Sequence, residues 1–252
     1  MILQQFFSEN PKVALGFSGG VDSSYLLYAG IRCGAQVKAY FVKSVFQPAF
    51  ELEDAQRLAA QLGAGFEVIE ADILTDRQVA GNPANRCYWC KQVVFNALKD
   101  RARAAGYETI IDGSNASDRA DDRPGMQALA ELGVKSPLRE YGLTKGEIRR
   151  LSKEADLFTW NKPSYACLAT RIPTGRLITA QLLQRVERAE EALFALGFSD
   201  LRVRLLEESA RIQLPASQMA AALEQRQEIL AAIKPYFASV LLDLEERKGE
   251  LQ

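Results

Sequence analysis

Apolar residues in the first half of the chain form short continuous runs, separated by stretches with helical spacing. Lys12–Phe17 (KVALGF) is one such run, ending at Ser-Gly-Gly, the pattern of a buried strand. Asp22–Gly34 carries apolar residues at helical spacing and stops at a glycine suited to the helix C′ position. Gln36–Phe41 predicts a second strand, Phe50–Leu62 a helix ending before a glycine, and Gly65–Glu70 a third strand. Cys90–Ala105 predicts a helix stopped by Gly106, and Tyr107–Asp112 a fourth strand. This β-α-β-α-β-α-β alternation predicts an α/β fold, a Rossmann-like parallel sheet with helices on its faces. Ligands of such sheets sit beyond the carboxyl ends of the strands. The Ser18 loop, the segment carrying Cys87 and Cys90, and Gly113-Ser114-Asn115 all fall at that edge.

Thr144–Ala155 predicts a further helix, whereas Asp156–Leu177 shows no convincing periodicity. Connectors of that length are uncommon and often functional. Beyond it, Thr179–Leu196 and Gln218–Ile233 predict helices, and Leu201–Leu206, Ala210–Leu214 and Phe237–Leu244 predict strands. The tail therefore reads as a small α+β domain. A boundary near Arg176 gives domains 1–176 and 177–252.

Composition narrows the chemistry. The chain has 252 residues, 48% hydrophobic and 25% charged, the profile of a soluble protein with a substantial core. A formal net charge of −1 gives no electrostatic case for bulk nucleic-acid or membrane binding. No apolar run approaches the roughly 20 residues that span a bilayer, and no leader pattern opens the chain. A cytoplasmic location is expected, in which the four cysteines serve as metal ligands or reactive thiols rather than disulfides. There are 0 histidines, which excludes His-based acid–base catalysis and His-ligated metals.

Ser18-Gly19-Gly20-Val21-Asp22-Ser23 lies between a predicted strand and a predicted helix. Two glycines permit a tight turn whose backbone N–H groups form an anion-binding concavity. The helix adds its positive N-terminal end, and Ser18 and Ser23 add hydroxyls. Asp22 is unexpected at an anion site unless it caps the helix or holds Mg²⁺ bound to phosphates. The plainer alternative is an ordinary strand-to-helix turn. No Gly-Lys-Ser/Thr follows, so this is not a Walker A loop. The six residues resemble the PP-loop of the N-type ATP pyrophosphatases. In that superfamily the loop grips the pyrophosphate of ATP while a substrate oxygen attacks the α-phosphorus, and nitrogen or sulfur then displaces AMP. The resemblance implies ATP binding by Ser18–Ser23, with Gly113 and Asn115 at the same edge.

Arg86-Cys87-Tyr88-Trp89-Cys90-Lys91 is a second constellation. Cysteines three apart can share one metal, and the flanking cations favour thiolates. A lone CxxC is also compatible with a redox pair, half a zinc site or chance. Trp89 could stack on a ring or simply pack. Cys167 lies in the aperiodic connector. Three thiolates can hold three irons of a [4Fe–4S] cluster and leave the fourth open to an extra sulfide. A zinc site would need another ligand. Cys33, at the end of the first predicted helix, reads as a plain buried residue.

Together these motifs resemble the LarE family, which inserts sulfur into the precursor of the nickel-pincer nucleotide cofactor. The resemblance runs from about Val13 to Leu244. It rests on the PP-loop, the CxxC segment, Gly113-Ser114-Asn115, Asp122-Arg123-Pro124-Gly125, Ser136-Pro137-Leu138, Trp160-Asn161-Lys162-Pro163, Cys167–Arg171 and Leu201-Arg202-Val203-Arg204. It implies adenylation of a carboxylate of pyridinium-3,5-biscarboxylic acid mononucleotide, then displacement of AMP by sulfur to give a thiocarboxylate. It also implies Asp22 and Cys167 as catalytic residues, with ATP and Mg²⁺. Members with one reactive cysteine sacrifice its sulfur; members with three carry a [4Fe–4S] cluster, which here would use Cys87, Cys90 and Cys167. Arg202 and Arg204, alternating on a strand, and Arg171 offer forked donors for the substrate's anionic groups. Without the resemblance, the strand pair reads as a solvated face. Glu190 either orients an arginine or is exposed. A homo-oligomer is implied, with a hexamer as one form. The sulfur donor is not specified. The chain departs from the family at Leu206–Ser209, which lacks His-Gly, and at Asp243–Gly249. The competing functions are an amide-forming synthetase, a tRNA thiolation enzyme and a nucleotide sensor.

Overall fold

The computed structural model describes residues 2–118 and 124–247. Asp122 and Arg123 of the Asp122–Gly125 motif, and Lys248 and Gly249 near the C-terminus, lie outside the described residues. The chain divides into two compact units, residues 1–79 with 84–162 and residues 80–83 with 163–252.

The first unit is the expected α/β fold. In order it runs α1 (Gln4–Glu9), β1 (Lys12–Gly16), α2 (Val21–Arg32), β2 (Gln36–Lys43), α3 (Ala49–Gln61), β3 (Gly65–Glu70), α4 (Arg77–Ala80), α5 (Arg86–Ala104), β4 (Thr109–Ile111), α6 (Pro124–Glu131), α7 (Pro137–Glu140) and α8 (Lys145–Glu154). Its four strands are ordered β3-β2-β1-β4, and every pairing is parallel. Strand alternation explains the continuous apolar runs. Val13 and Leu15 of β1, with Val37, Ala39 and Phe41 of β2, join one core with Leu26, Leu27 and Leu58. Ala14, Tyr40 and Val42 point the other way, into a core with Phe95, Leu98 and Ala102. A sheet buried on both faces leaves its C-terminal edge as the place where backbone polar groups can meet a ligand.

The second unit contains α9 (Ala180–Ala195), β5 (Arg202–Leu206), β6 (Ser209–Gln213), α10 (Ala216–Glu224), α11 (Arg226–Ile233) and β7 (Ser239–Leu242). The strands are ordered β5-β6-β7, the first pair antiparallel and the second parallel. Leu183, Val186, Leu193, Val203, Leu205, Ile212 and Ile233 are buried in this α+β unit. The connector from Pro163 is grouped with it, and Asn82 ties it down: its Nδ2 donates to Pro173 O at 2.8 Å and its carbonyl accepts from Gly175 N at 2.8 Å.

The differences from the sequence pattern have local causes. Helix α5 begins at Arg86, not Cys90, and so takes in the whole CxxC segment. Apolar periodicity is weak in that first turn because Arg86, a charged residue, is the one buried there. The single helix expected over Gln218–Ile233 is two, broken at Gln225 (φ −90°, ψ 22°), where no glycine or proline marks a stop. The aperiodic connector holds two one-turn 3₁₀ helices, Phe158–Asn161 and Leu168–Arg171. Helices α1, α4, α6 and α7 are too short for a periodic signal.

Candidate active site

In the first unit, Phe17–Gly20 links β1 to α2 at the C-terminal edge of the sheet. Gly19 has φ +68°, and a Cβ there would lie 3.1 Å from Ala55 of α3, so both conformation and space call for glycine. The loop is tied internally. Ser18 Oγ lies 3.1 Å from Ser23 Oγ, Gly20 N donates to Ser18 Oγ at 3.3 Å, and Ser23 Oγ donates to Gly20 O at 3.3 Å. Ser24 N makes the first intrahelical bond, to Gly20 O at 3.0 Å. The N–H groups of Val21, Asp22 and Ser23 precede it and have no intrahelical acceptor. Gly113, after β4, lies against this turn: a Cβ on it would be 2.9 Å from Ser23 N. The structure thus brings Ser18–Ser23 and Gly113 together. Asn115 is buried and shapes the same loop, its Oδ1 accepting from Ser117 N at 2.8 Å and its N donating to Asp118 at 3.0 Å.

Asp22 is not a cap, since the N-cap Gly20 receives no side-chain bond. One carboxylate oxygen pairs with Lys145 Nζ at 2.6 Å; the other, Oδ1, is buried without a hydrogen-bond partner. Burial raises the Asp22 pKa above the ordinary aspartate value, against the opposing pull of Lys145. An orphan carboxylate oxygen beside a phosphate-type loop fits a hard cation such as Mg²⁺. Lys145 opens α8, whose N-terminus is secured by a Thr144–Glu147 capping box. A second cation, Lys162, pairs with Asp54 Oδ2 at 2.7 Å and donates to Gly19 O at 3.4 Å. Neither lysine is detectable from residue type alone; the signal available was that Lys162 sits in a motif of the resemblance.

Cys87 and Cys90 lie on the first turns of α5, the former exposed and the latter half-buried. Arg86 Nη2 reaches Cys87 Sγ at 3.8 Å, consistent with the expected cationic environment. Trp89 meets Tyr88 edge-to-face at 5.0 Å. Cys33 is half-buried at the C-cap of α2 rather than buried, because the helix ends there; it still packs against the core. None of the four cysteines is in a disulfide.

In the second unit, Cys167 precedes the 3₁₀ turn Leu168–Arg171 and is half-buried. Three arginines grip the backbone around it. Arg171 Nη1 donates to Ala166 O at 2.7 Å and to Cys167 O at 3.4 Å. Arg202 Nη2 donates to Ser164 O at 2.6 Å, and Arg204 Nη1 to Thr170 O at 2.8 Å. Arg202 and Arg204 do share a face of β5, as alternation requires, but it is not a solvated one: Arg202 is buried and Arg204 half-buried. Arg171, expected as an anion donor, is enclosed by protein groups. Its side chain is 0% exposed and its remaining nitrogens pair with Glu190 at 2.8 and 3.1 Å. Glu190 is the orienting carboxylate, buried, also accepting from Val203 N at 2.8 Å and from the Tyr165 hydroxyl. The guanidinium carbons of Arg171 and Arg202 lie 4.5 and 4.9 Å from the centroid of the Tyr165 ring. Burial, with repulsion from Arg171 and Arg247, lowers the Arg202 pKa to about 10.

No protein-family model matches the chain. It is 40% identical over 218 residues, 86% of its length, to an uncharacterized protein of Synechocystis, covering 81% of that protein. It is 32% identical over 210 residues to the pyridinium-3,5-bisthiocarboxylic acid mononucleotide synthase of Lactiplantibacillus plantarum, spanning 82% of this chain and 76% of that enzyme. The chain belongs to the LarE family of PP-loop enzymes. A LarE-family chain should resemble other PP-loop sulfurtransferases more distantly, and it does. It is 30% identical over 192 residues to the tRNA-specific 2-thiouridylase MnmA of Hahella chejuensis, covering 61% of this chain and 51% of that enzyme. This LarE-family protein is an ATP-dependent sulfurtransferase. Among its described residues no helix is long and apolar enough to cross a membrane.

Proposed function

We propose that the enzyme adenylates a carboxylate of pyridinium-3,5-biscarboxylic acid mononucleotide and converts it to a thiocarboxylate, a step toward the nickel-pincer nucleotide. The L. plantarum relative, a synthase of pyridinium-3,5-bisthiocarboxylic acid mononucleotide, supports a thiocarboxylate product of this kind. A carboxylate oxygen attacks the α-phosphorus of ATP, and pyrophosphate leaves. The N–H groups at Gly19–Ser23 receive the pyrophosphate, with Ser18 and Ser23 hydroxyls beside them. Asp22 Oδ1 is the oxygen suited to Mg²⁺ on those phosphates. A sulfur nucleophile at Cys167 then attacks the acyl carbon, and AMP leaves with the carbon–oxygen bond electrons. In the sacrificial route the Cys167 Cβ–Sγ bond subsequently breaks with loss of the Cα proton, leaving dehydroalanine. The observation that carries this reading is the grip on Ser164–Thr170: four backbone carbonyls held by three guanidinium groups around a half-buried thiol.

The number and spacing of the cysteines favour delivery through a [4Fe–4S] cluster, which when bound would supply an iron open to an extra sulfide. Cys87 and Cys90, three apart on α5 beside Arg86, suit two of its corners. Among the described residues no group of three or more Cys, Asp or Glu side chains is gathered to hold a metal. Anaerobic preparation decides between routes: brown protein with about four irons per chain supports the cluster. A colourless protein losing one sulfur mass at Cys167 after turnover supports sacrifice. With ATP, Mg²⁺ and the dicarboxylate, the expected products are pyrophosphate, AMP and a thiocarboxylate. An amide product dependent on ammonia would contradict sulfur transfer to this substrate. Thiolated tRNA with salt-sensitive tRNA binding would favour the MnmA-like reading instead.

A further inference from the structure

We propose that Lys162 is a phosphate-binding residue of the ATP site, held in reserve by Asp54 until the nucleotide arrives. The first unit puts two ammonium groups at the rim of the phosphate loop, each paired to one aspartate: Lys145 to Asp22 at 2.6 Å and Lys162 to Asp54 at 2.7 Å. Lys162 also reaches the loop backbone, through Gly19 O at 3.4 Å. Its side chain is 15% exposed, so it is largely shielded yet reachable. The placement is built rather than incidental. Arg149 donates to Trp160 O at 2.9 Å and to Lys162 O at 3.0 Å, and Arg57 lies 3.7 Å from the centroid of the Phe158 ring, fixing the turn that presents Lys162.

The charges explain why the pair should open. A polyphosphate at Gly19–Ser23 brings several negative charges to within reach of an ammonium now neutralised by a single carboxylate. A phosphate oxygen is the stronger competitor, because it adds charge without adding the desolvation of a second buried ion. Asp54 has another partner ready in Arg57, at 3.2 Å, and is not left uncompensated when the lysine turns. The ion pair therefore keeps the loop neutral when empty and converts to a lysine–phosphate contact when filled. Lys162 is followed directly by Pro163, where the chain passes back into the unit that carries Cys167.

The test is calorimetric titration of the full chain with inorganic pyrophosphate plus Mg²⁺, and separately with adenosine. Lys162→Met is expected to weaken pyrophosphate at least tenfold and leave adenosine within twofold. Asp54→Asn, which frees the lysine, is expected to tighten pyrophosphate several-fold. That gain should vanish in the Lys162→Met/Asp54→Asn double variant, because it acts through the lysine. Should Lys162→Met fail to fold, Asp54→Asn decides alone: unchanged or weaker pyrophosphate binding contradicts the proposal. So does Lys162→Met binding pyrophosphate within twofold of the parent, or a gain from Asp54→Asn that persists without the lysine.

Discussion

The phosphate loop and the cysteine segment are held by opposite means. At Ser18–Ser23 the backbone itself offers the donors: a left-handed glycine, a helix start whose first N–H groups have no intrahelical acceptor, and bonds made almost entirely within six residues. Around Cys167 the backbone is the held group. Its carbonyls are acceptors for side chains from Arg171, Arg202 and Arg204; Glu190 and Tyr165 hold Arg171, the Tyr165 ring lies beside Arg202, and Gln213 accepts from Arg204. A phosphate site needs donors in a fixed concavity, which a tight turn supplies locally. A sulfur-bearing residue needs a fixed backbone that leaves its thiol reachable, which is achieved by anchoring its neighbours.

The two designs should break differently. The largest effect is expected from Glu190→Ala. It leaves Arg171 buried without its counter-charge and orphans Val203 N, a loss of about 3–5 kcal/mol by the usual cost of breaking a buried pair. Denaturant unfolding should show it in the second unit, with ATP binding to the first retained. Gly19→Ala should be smaller in stability, about 1–2 kcal/mol for a Cβ in the left-handed region. Its contact with Ala55 should distort the loop and weaken ATP at least tenfold, while the reactivity of Cys167 toward a thiol reagent stays unchanged.

A pH titration sharpens the contrast further. The Asp22 pKa is raised, so its carboxylate takes up a proton at a higher pH than an ordinary aspartate. Mg²⁺-dependent ATP affinity should be full above that raised value and fall as pH drops through it. Asp22→Asn should abolish this pH dependence. For stability the sign is opposite: a raised native pKa means the charged form disfavours folding at neutral pH, and that cost lessens as pH falls through the native value. The smallest effect is expected from Cys33→Ala. This half-buried helix-end thiol should cost no more than about 0.5 kcal/mol and leave turnover intact, as thermal unfolding and product assays would check.

The same contrast explains what could be read in the sequence. The parallel sheet and the phosphate loop were legible because their determinants are contiguous: apolar runs, two glycines, an adjacent helix. Lys145 and Lys162 were not, since a lysine becomes part of a site only when folding carries it more than a hundred residues back along the chain, to Asp22 and Gly19. Arg171 shows the converse limit. A guanidinium near a cysteine suggests an anion ligand by chemistry alone, and its burial against Glu190 is visible only in the fold. The start of α5 at Arg86 was hidden for a related reason, because a buried arginine interrupts the apolar pattern that marks a helix face.

The central claim is that activation and sulfur transfer are separable, the first belonging to the PP-loop and the second to Cys167. Its most direct test is to follow pyrophosphate and thiocarboxylate together in Cys167→Ala, given ATP, Mg²⁺ and pyridinium-3,5-biscarboxylic acid mononucleotide. Pyrophosphate release in the first turnover should match the parent within about twofold, while thiocarboxylate falls at least a thousandfold, about 4 kcal/mol of transition-state stabilisation. Thiocarboxylate formed at the parental rate would contradict the account.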